Sequence, residues 1–317
     1  MIYSSERNRS SKASTSARGT GNAVLALSAA FFAVVAISVF FAFGGRLPSL
    51  GNTYDVSIDD VRQLWDEQQF EEIIAVTDQI LGAEPLDPDA LVFHGLANYF
   101  FSLELDDGEE KSDHLEQGIS SLRRARVFPN TPHRTQVEYV LGLAYYSRNE
   151  YYVDLAVEHL ENAVDRGLST ATVHEYLGLA YRELGDLESS IEHFNSAVDV
   201  ASRNVTHKAL AETYYETGRL DSAREHLDRV IAGSAEPQLV HEARILMGRI
   251  HLEEGRFEDA HRQFNVVLEE NPNSADAQFY LGEYYHMQDE SVRARAYWRN
   301  AVNIDSGHLE ALRRLES

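Results

Sequence analysis

The sequence Leu-Gly-Leu-Ala-Tyr occurs twice, at residues 141–145 and at residues 177–181. After each copy comes a small residue, then a Leu or Phe four positions later, then an Ala three positions after that. Weaker versions of this pair of patterns return three more times. The aligned Gly or Ala of the five copies lies at positions 142, 178, 211, 248 and 282, in steps of 36, 33, 37 and 34 residues.

Repetition at about 34 residues, with small residues at fixed positions, predicts a helix–turn–helix unit stacked on copies of itself. Gly or Ala on the first helix and Ala on the second let the two helices approach, and the larger side chains fill the space between units. Two weaker copies precede the five. One contains Phe-Glu-Glu-Ile-Ile at residues 70–74, and the other carries Gly95 and Tyr99 on its first helix.

This pattern resembles the tetratricopeptide repeat family in residue type and in spacing. The resemblance implies an all-α fold in which about seven repeats form a right-handed superhelical solenoid. We expect the solenoid over residues 58–308 and a capping helix over residues 309–317, because the last repeat of an array needs a polar cover. The acidic stretch at residues 104–113 is expected to be a loop longer than a normal repeat turn.

The N-terminal region predicts a membrane anchor. Residues 23–43 are 21 residues without a charge, enough for one helix to cross a hydrocarbon core of roughly 30 Å. We therefore predict a disordered basic segment over residues 1–21, a transmembrane signal-anchor over residues 22–44 and a linker over residues 45–57. Because basic residues precede the anchor, the positive-inside rule places the N-terminus in the cytoplasm and the repeats outside the cytoplasmic (inner) membrane.

Two other interpretations of the N-terminus remain open. Cleavage near Gly44 would release a soluble exported protein, although an apolar region this long favours an uncleaved anchor over a signal peptide. An anchored import or chaperone receptor facing the cytosol is the other. The basic N-terminal flank argues against that orientation.

Charge and cysteine content exclude several classes of function. Residues 1–46 carry a net charge of +4 and the rest of the chain −27. So acidic a body repels nucleic acid and favours basic partners. The chain has no cysteine, which excludes disulfides, thiol catalysis and zinc held by cysteine. Nothing in the sequence indicates the oligomeric state.

No motif in the sequence predicts catalysis or a cofactor. There is no phosphate-binding glycine loop, no His-Glu-x-x-His and no Gly-x-Ser-x-Gly. His159, His193 and His226 occupy the same repeat position, but side chains on successive repeats are roughly 10 Å apart, too far to share one metal ion. We predict that they face solvent or pack between repeats. The chain is predicted to be non-catalytic, without cofactor or metal.

The family resemblance implies that the first helices of the repeats line a concave groove for a partner. Members that hold the C-terminal carboxylate of cytosolic chaperones use Lys and Asn in this groove, whereas several of the matching positions here are Glu. The positions carried over are Tyr139, Leu143, Tyr146, Glu175, Leu179, Arg182, Glu183, Lys208, Glu212, Tyr215, Glu216, Ile245, Arg249, Leu252, Glu253, Phe279, Glu283, His286 and Met287.

A groove that mixes Tyr, Leu and Glu suits a basic or amphipathic peptide or helix. The sequence therefore predicts a membrane-anchored scaffold that binds a protein partner, in the assembly or maintenance of a cell-envelope complex.

Overall fold

The computed structural model describes residues 57–316, which form fifteen α-helices, one short 3₁₀ turn at Glu150–Tyr152 and no β-strand. The predicted N-terminal segment, the anchor and nearly all of the linker lie outside these residues. No helix within 57–316 is long and apolar enough to cross a membrane. The helices are α1 Ile58–Asp66, α2 Phe70–Ala83, α3 Pro88–Glu104, α4 Glu109–Arg126, α5 Arg134–Arg148, α6 Val153–Asp165, α7 Ala171–Glu183, α8 Leu187–Val200, α9 Asn204–Glu216, α10 Leu220–Gly233, α11 Pro237–Glu253, α12 Phe257–Glu270, α13 Ala275–Met287, α14 Ser291–Ile304 and α15 Leu309–Glu316.

The first fourteen helices pair in chain order into seven repeats, from α1–α2 to α13–α14. We call the first helix of each repeat the A helix and the second the B helix. Each B helix also packs on the A helix that follows it, and successive A helices contact each other. Helix α15 packs on α14 and buries Ala311, so it covers the apolar end of the last repeat. The predicted all-helical array of repeats is confirmed for the described residues.

The prediction of a long acidic loop at residues 104–113 is wrong. The connection between α3 and α4 is four residues, and the second half of the acidic stretch forms the first turn of α4. Glu109 and Glu110 lie there, where the positive end of the helix dipole favours carboxylates. The insertion therefore lengthens α4 to 18 residues instead of opening a loop.

The turn between the A and B helices has one backbone form in five repeats. After α7, Gly185 has φ of +79°, its N–H donates to the Arg182 carbonyl, and the Asp186 N–H donates to the Tyr181 carbonyl at 2.9 Å. Glycine adopts this left-handed helix ending without steric cost. The middle residues of the equivalent turns, all with positive φ, are Gln68, Gly218, Gly255 and Asp289.

In five of the seven repeats, a glycine of the A helix lies against a large side chain of the B helix. A Cβ atom placed on Gly178 would be 2.7 Å from the ring of Phe194, and one on Gly282 would be 2.3 Å from Trp298. Phe194 and Trp298 are 1% and 4% exposed, so neither ring can move into solvent. The close approach predicted from the small residues is confirmed.

We expect Gly178→Leu to lower the free energy of unfolding by about 1–3 kcal/mol, because the new side chain overlaps the Phe194 ring in a packed core. Chemical denaturation followed by far-UV circular dichroism measures the loss. Gly82→Leu is the matched control, since Gly82 is also helical and has nothing within 4 Å of its added Cβ. Equal stability of the two variants would contradict the assigned register.

Candidate partner-binding face

The nineteen predicted groove residues lie on the five A helices α5, α7, α9, α11 and α13. We call the surface they define the A-helix face. Polar contacts link its members across repeats. The Tyr146 hydroxyl donates to Glu183 at 2.7 Å, and Arg182 donates to Glu216 at 2.6 Å. These positions therefore lie along one side of the array, and their role in binding stays a prediction.

Members of the A-helix face differ in accessibility. Tyr139 and Leu143 are 6% and 3% exposed, because they pack in the core that joins the N-terminal repeats. Leu252 and Phe279 are also nearly buried, but both line a cavity. Met287, at the C-terminal end of the face, is 49% exposed. Tyr139 and Leu143 thus offer little surface to a partner, whereas the C-terminal end is open.

Cations of the same face neutralise the carboxylates in its middle. Arg182 forms salt bridges with Glu212 at 2.8 Å and Glu216 at 2.6 Å, and Lys208 with Glu212 at 2.9 Å and Glu242 at 2.7 Å. Burial raises the pKa of Glu212, but the charges of Lys208 and Arg182 outweigh burial and lower that pKa. Glu212 is therefore ionised and already paired.

Other predicted acidic positions are also bound to neighbouring repeats. Glu253 accepts a hydrogen bond from the Tyr215 hydroxyl of the preceding repeat. Glu283 accepts two from Arg314 of the capping helix, the first at 2.9 Å. These acidic positions therefore do not form a row of unpaired carboxylates. Long side chains on one A helix reach the next repeat, so these carboxylates join repeats together.

A cavity of about 560 Å³ opens at the C-terminal end of the A-helix face. Two nearly buried apolar side chains, Leu252 and Phe279, lie among its lining residues. Residues of three successive repeats and of the capping helix enclose it. The remaining lining residues are Tyr215, Arg249, Glu253, Tyr280, Glu283, Met287, Glu310, Arg313 and Arg314. Its volume falls within the range of pockets that hold ligands.

Arg249 lies in this cavity between two tyrosines of neighbouring repeats. Its guanidinium carbon is 4.9 Å from the centroid of the Tyr215 ring and 5.1 Å from that of Tyr280. Both distances are short enough for cation–π attraction. Burial lowers the pKa of Arg249, but the surrounding tyrosines and the more distant Glu310 produce a net increase. Arg249 therefore stays charged.

Sequence reasoning missed part of this cavity. Tyr280 was left out because it is adjacent to the predicted Phe279, and Glu310, Arg313 and Arg314 lie on the capping helix, outside the repeats. The Arg-Arg pair close to the end of the chain was a visible signal. Its position over the groove depends on the angle at which α15 docks, which the repeat period does not predict.

Two repeats hold a pair of histidines between their helices. The Nδ1 atoms of His174 and His193 are 3.2 Å apart, and those of His207 and His226 are 2.8 Å apart. In both pairs the distance between the ring centroids is 2.3 Å longer than the distance between the Nδ1 atoms. This difference equals the radius of one imidazole ring plus that of the other, as expected when both Nδ1 atoms lie on the line between the centroids. The nitrogens therefore point at each other, and one ring donates an N–H to the other. Nitrogens in this arrangement cannot both face one metal ion.

The three histidines at the same repeat position, His159, His193 and His226, thus pack inside their own repeats, not between repeats or toward solvent. The ring of His193 stacks on Tyr181 with an interplanar angle of 5°, and that of His159 stacks on Tyr145 at 7°. His159 meets Glu138 instead of a second histidine, at 2.8 Å. The A-helix partners, His174 and His207, were missed, although they lie four residues before the aligned small residue in successive repeats. Within residues 57–316 no cluster of three potential metal ligands is found.

Ser121, His94 and Asp78 form a chain of contacts that resembles a hydrolase triad. His94 Nδ1 is 2.8 Å from the Ser121 hydroxyl, and its Nε2 is 3.2 Å from Asp78. Ser121 is only 3% exposed and lies within α4, so its hydroxyl has no access to a substrate. These contacts hold neighbouring helices together and do not support a nucleophile.

Two matches to known family models cover much of the C-terminal part of the chain. A model described as tetratricopeptide repeat matches residues 169–236, and a second with the same description matches residues 245–308. The helix pairs of residues 57–168 have the same order and packing. Residues 169–236 and 245–308 therefore belong to the tetratricopeptide repeat family.

Solved structures similar to this chain include other repeat proteins. The C-terminal part of a TPR repeat-containing protein from Cytophaga hutchinsonii has 14% identity and a TM-score of 0.60, over 82% of this chain and 100% of that one. Pseudomonas aeruginosa pilF has 16% identity and a TM-score of 0.51, over 69% and 95%. At these identities the likeness shows the fold alone. No curated protein matches this sequence.

Proposed function

We propose that this chain is a non-catalytic, membrane-anchored scaffold that binds an amphipathic peptide or helix of a protein partner along its A-helix face. The observation that carries this proposal is the cavity of about 560 Å³ at the end of that face, where an apolar floor adjoins charged and aromatic side chains. Concave sites that combine apolar surface with polar groups are typical binding sites. Six of the eleven residues that line this one are charged. Because the central carboxylates are paired, an amphipathic partner fits better than a simply basic one.

The location is part of the proposal. Residues 23–43 would hold the chain in the inner membrane, with the N-terminus in the cytoplasm and the repeats in the extracytoplasmic space or periplasm. A scaffold in that position would take part in assembling or maintaining a complex of the cell envelope. A soluble form released near Gly44 is the alternative.

We expect residues 23–43 to remain in the mature protein and external protease to digest the repeats. N-terminal sequencing of the mature chain tests retention, and protease added to cells with a permeabilised outer envelope tests orientation. A cytoplasmic protein that stays intact is the control for membrane integrity. A mature chain that begins at Gly45 would contradict the anchor, and repeats digested only after membrane lysis would contradict the orientation.

We expect Tyr215→Ala to weaken capture of the native partner roughly tenfold or more, because aromatic side chains in partly enclosed positions often dominate binding energy. The measurement is the amount of partner retained by the full chain from solubilised membranes. Tyr151→Ala is the matched control, since Tyr151 is 80% exposed and lies outside the A-helix face. Undiminished capture by folded Tyr215→Ala would place binding elsewhere.

A further inference from the structure

The cavity at the C-terminal end of the A-helix face contains a cation whose surroundings differ from those of the other cations on this face. Arg182 and Lys208 each bind two carboxylates, and Arg314 binds Glu283 through two nitrogens. Arg249 forms no salt bridge with any carboxylate of residues 57–316. Its contacts are the faces of two tyrosine rings.

The guanidinium of Arg249 also keeps most of its hydrogen-bonding capacity. An arginine carries five N–H donors. Within residues 57–316 the single hydrogen bond that Arg249 donates is a long one, from Nη2 to the Tyr215 hydroxyl at 3.4 Å. A ring face attracts the cation but accepts no strong hydrogen bond. A carboxylate that entered the cavity would accept two N–H groups at once, a pairing for which the planar guanidinium is well shaped.

The carboxylates that border this cavity do not take that role. Glu283 is bound by Arg314, and Glu253 accepts the Tyr215 hydroxyl. Glu310 is exposed on the capping helix and acts on Arg249 only at longer range. Beside the cation, Leu252 and Phe279 supply an apolar surface. The cavity therefore offers a positive, donor-rich position at Arg249 next to an apolar one. Arg313, another arginine of its lining, is exposed on the capping helix.

We propose that this cavity binds an acidic side chain, Asp or Glu, carried by an amphipathic helix of the partner that places apolar side chains on Leu252 and Phe279. This assignment rests on the proposed function and specifies the chemistry of its partner. A helix brings residues i, i+3 and i+4 to one side, so one turn can fill a cavity of about 560 Å³ with an acidic and an apolar group together. The acidic body repels an acidic side chain at long range, so the local pairing with Arg249 supplies the specificity.

A charge-swap selection tests this proposal. A displayed library of 16-residue helical peptides, with leucines fixed along one face and the other positions random, is selected against the full chain in detergent micelles. We expect Asp or Glu to be enriched at one position beside the leucines. Arg249→Glu should replace that preference with Lys or Arg. Arg262→Glu is the matched control, because Arg262 lies on the B helix of the same repeat and is 69% exposed, and it should keep the acidic preference.

Synthetic peptides from the selection then give the magnitude. Replacing the enriched Glu by Gln should weaken binding to the wild-type chain about tenfold, as expected for a charged hydrogen-bonded pair. On Arg249→Gln the same replacement should change nothing. Far-UV circular dichroism checks that each variant is folded, and Arg249→Lys, which keeps the charge, should retain part of the preference.

Three outcomes would overturn the assignment. These are no acidic enrichment, an acidic preference that survives Arg249→Glu, or binding that is lost when the peptide C-terminus is amidated. The last result would mean that a terminal carboxylate is bound, not a side chain. In each case, peptides that still lose affinity on Tyr215→Ala would leave the proposed function standing. Selected peptides indifferent to Tyr215→Ala would contradict both proposals.

Discussion

Glu138→Gln is expected to lower the free energy of unfolding by about 3 kcal/mol, because it removes the charge from a buried carboxylate with three cationic or hydrogen-bonding partners. The Glu138 side chain is 1% exposed and lies 2.8 Å from Arg134, 3.0 Å from Arg126 and 2.8 Å from His159. Burial alone would raise its pKa, but the His159 hydrogen bond and the nearby arginines lower it to about 2.

Chemical denaturation of Glu138→Gln and of a control variant at neutral pH measures this effect. Glu158→Gln is the matched control, because Glu158 pairs with the same Arg126 at 3.4 Å but its side chain is 54% exposed. An exposed pair contributes roughly 0–1 kcal/mol, so the control should stay close to wild type. A loss of less than 1 kcal/mol for Glu138→Gln would mean that the Glu138 site is hydrated in solution.

The second large effect is a loss of stability in mild acid. The four paired histidines have pKa values below the ordinary value of 6.5, mainly because they are buried. The pKa of His226 is lowered to about 4, by burial and by the nearby His207. Since the unfolded chain then binds protons more readily than the folded one, stability is present above pH 6.5 and is lost as pH falls toward 4.

Other charges near these pairs act in both directions. Glu192 and Glu161 oppose the decrease in the pKa of His193, and Glu225 opposes that of His226. Arg229 adds to the decrease for His226. Burial dominates at all four histidines, so the direction of the effect is the same in both repeats. A second proton on a pair would also replace its N–H···N hydrogen bond by two N–H groups that face each other.

We therefore expect stability to fall by about 2 kcal/mol between pH 7 and pH 5. The double variant His174→Gln, His207→Gln should reduce this dependence by about half, because two of the four paired histidines no longer titrate while burial still lowers the pKa of His193 and His226. His286→Gln is the control, since His286 is exposed on the A-helix face, and it should keep the wild-type profile. The measurement is denaturation by urea across this pH range, and parallel profiles for all three chains would contradict the role of the pairs.

The period of the small residues predicted the repeats because helix packing depends on local sequence. A glycine such as Gly178 faces a large side chain, and that contact recurs in five of the seven repeats. Prediction from the sequence failed at residues 104–113, where acidic residues suggested a loop but joined the first turn of α4.

The binding face was harder to predict, because its properties depend on which side chains meet across repeats. From the sequence alone, Glu212 would be counted as an unpaired negative charge. In the structure it forms salt bridges with Arg182 and Lys208. In the sequence Arg249 is one arginine among many. In the structure it lies between the rings of two neighbouring repeats and forms no salt bridge within residues 57–316. The sequence gives only the net charge of these residues. Which of them form ion pairs depends on the distances between their helices, which the sequence does not give.

The most direct test of the central claim is site-specific photocrosslinking of the full chain in intact cells. A photoreactive amino acid at Tyr215 or at Met287 reports on the A-helix face, and one at Val200, which is 51% exposed at the end of a B helix, reports on a different surface. The account predicts that Tyr215 and Met287 crosslink to the same partner protein and that Val200 does not. Crosslinking of that partner from Val200, with none from Tyr215 or Met287, would contradict it.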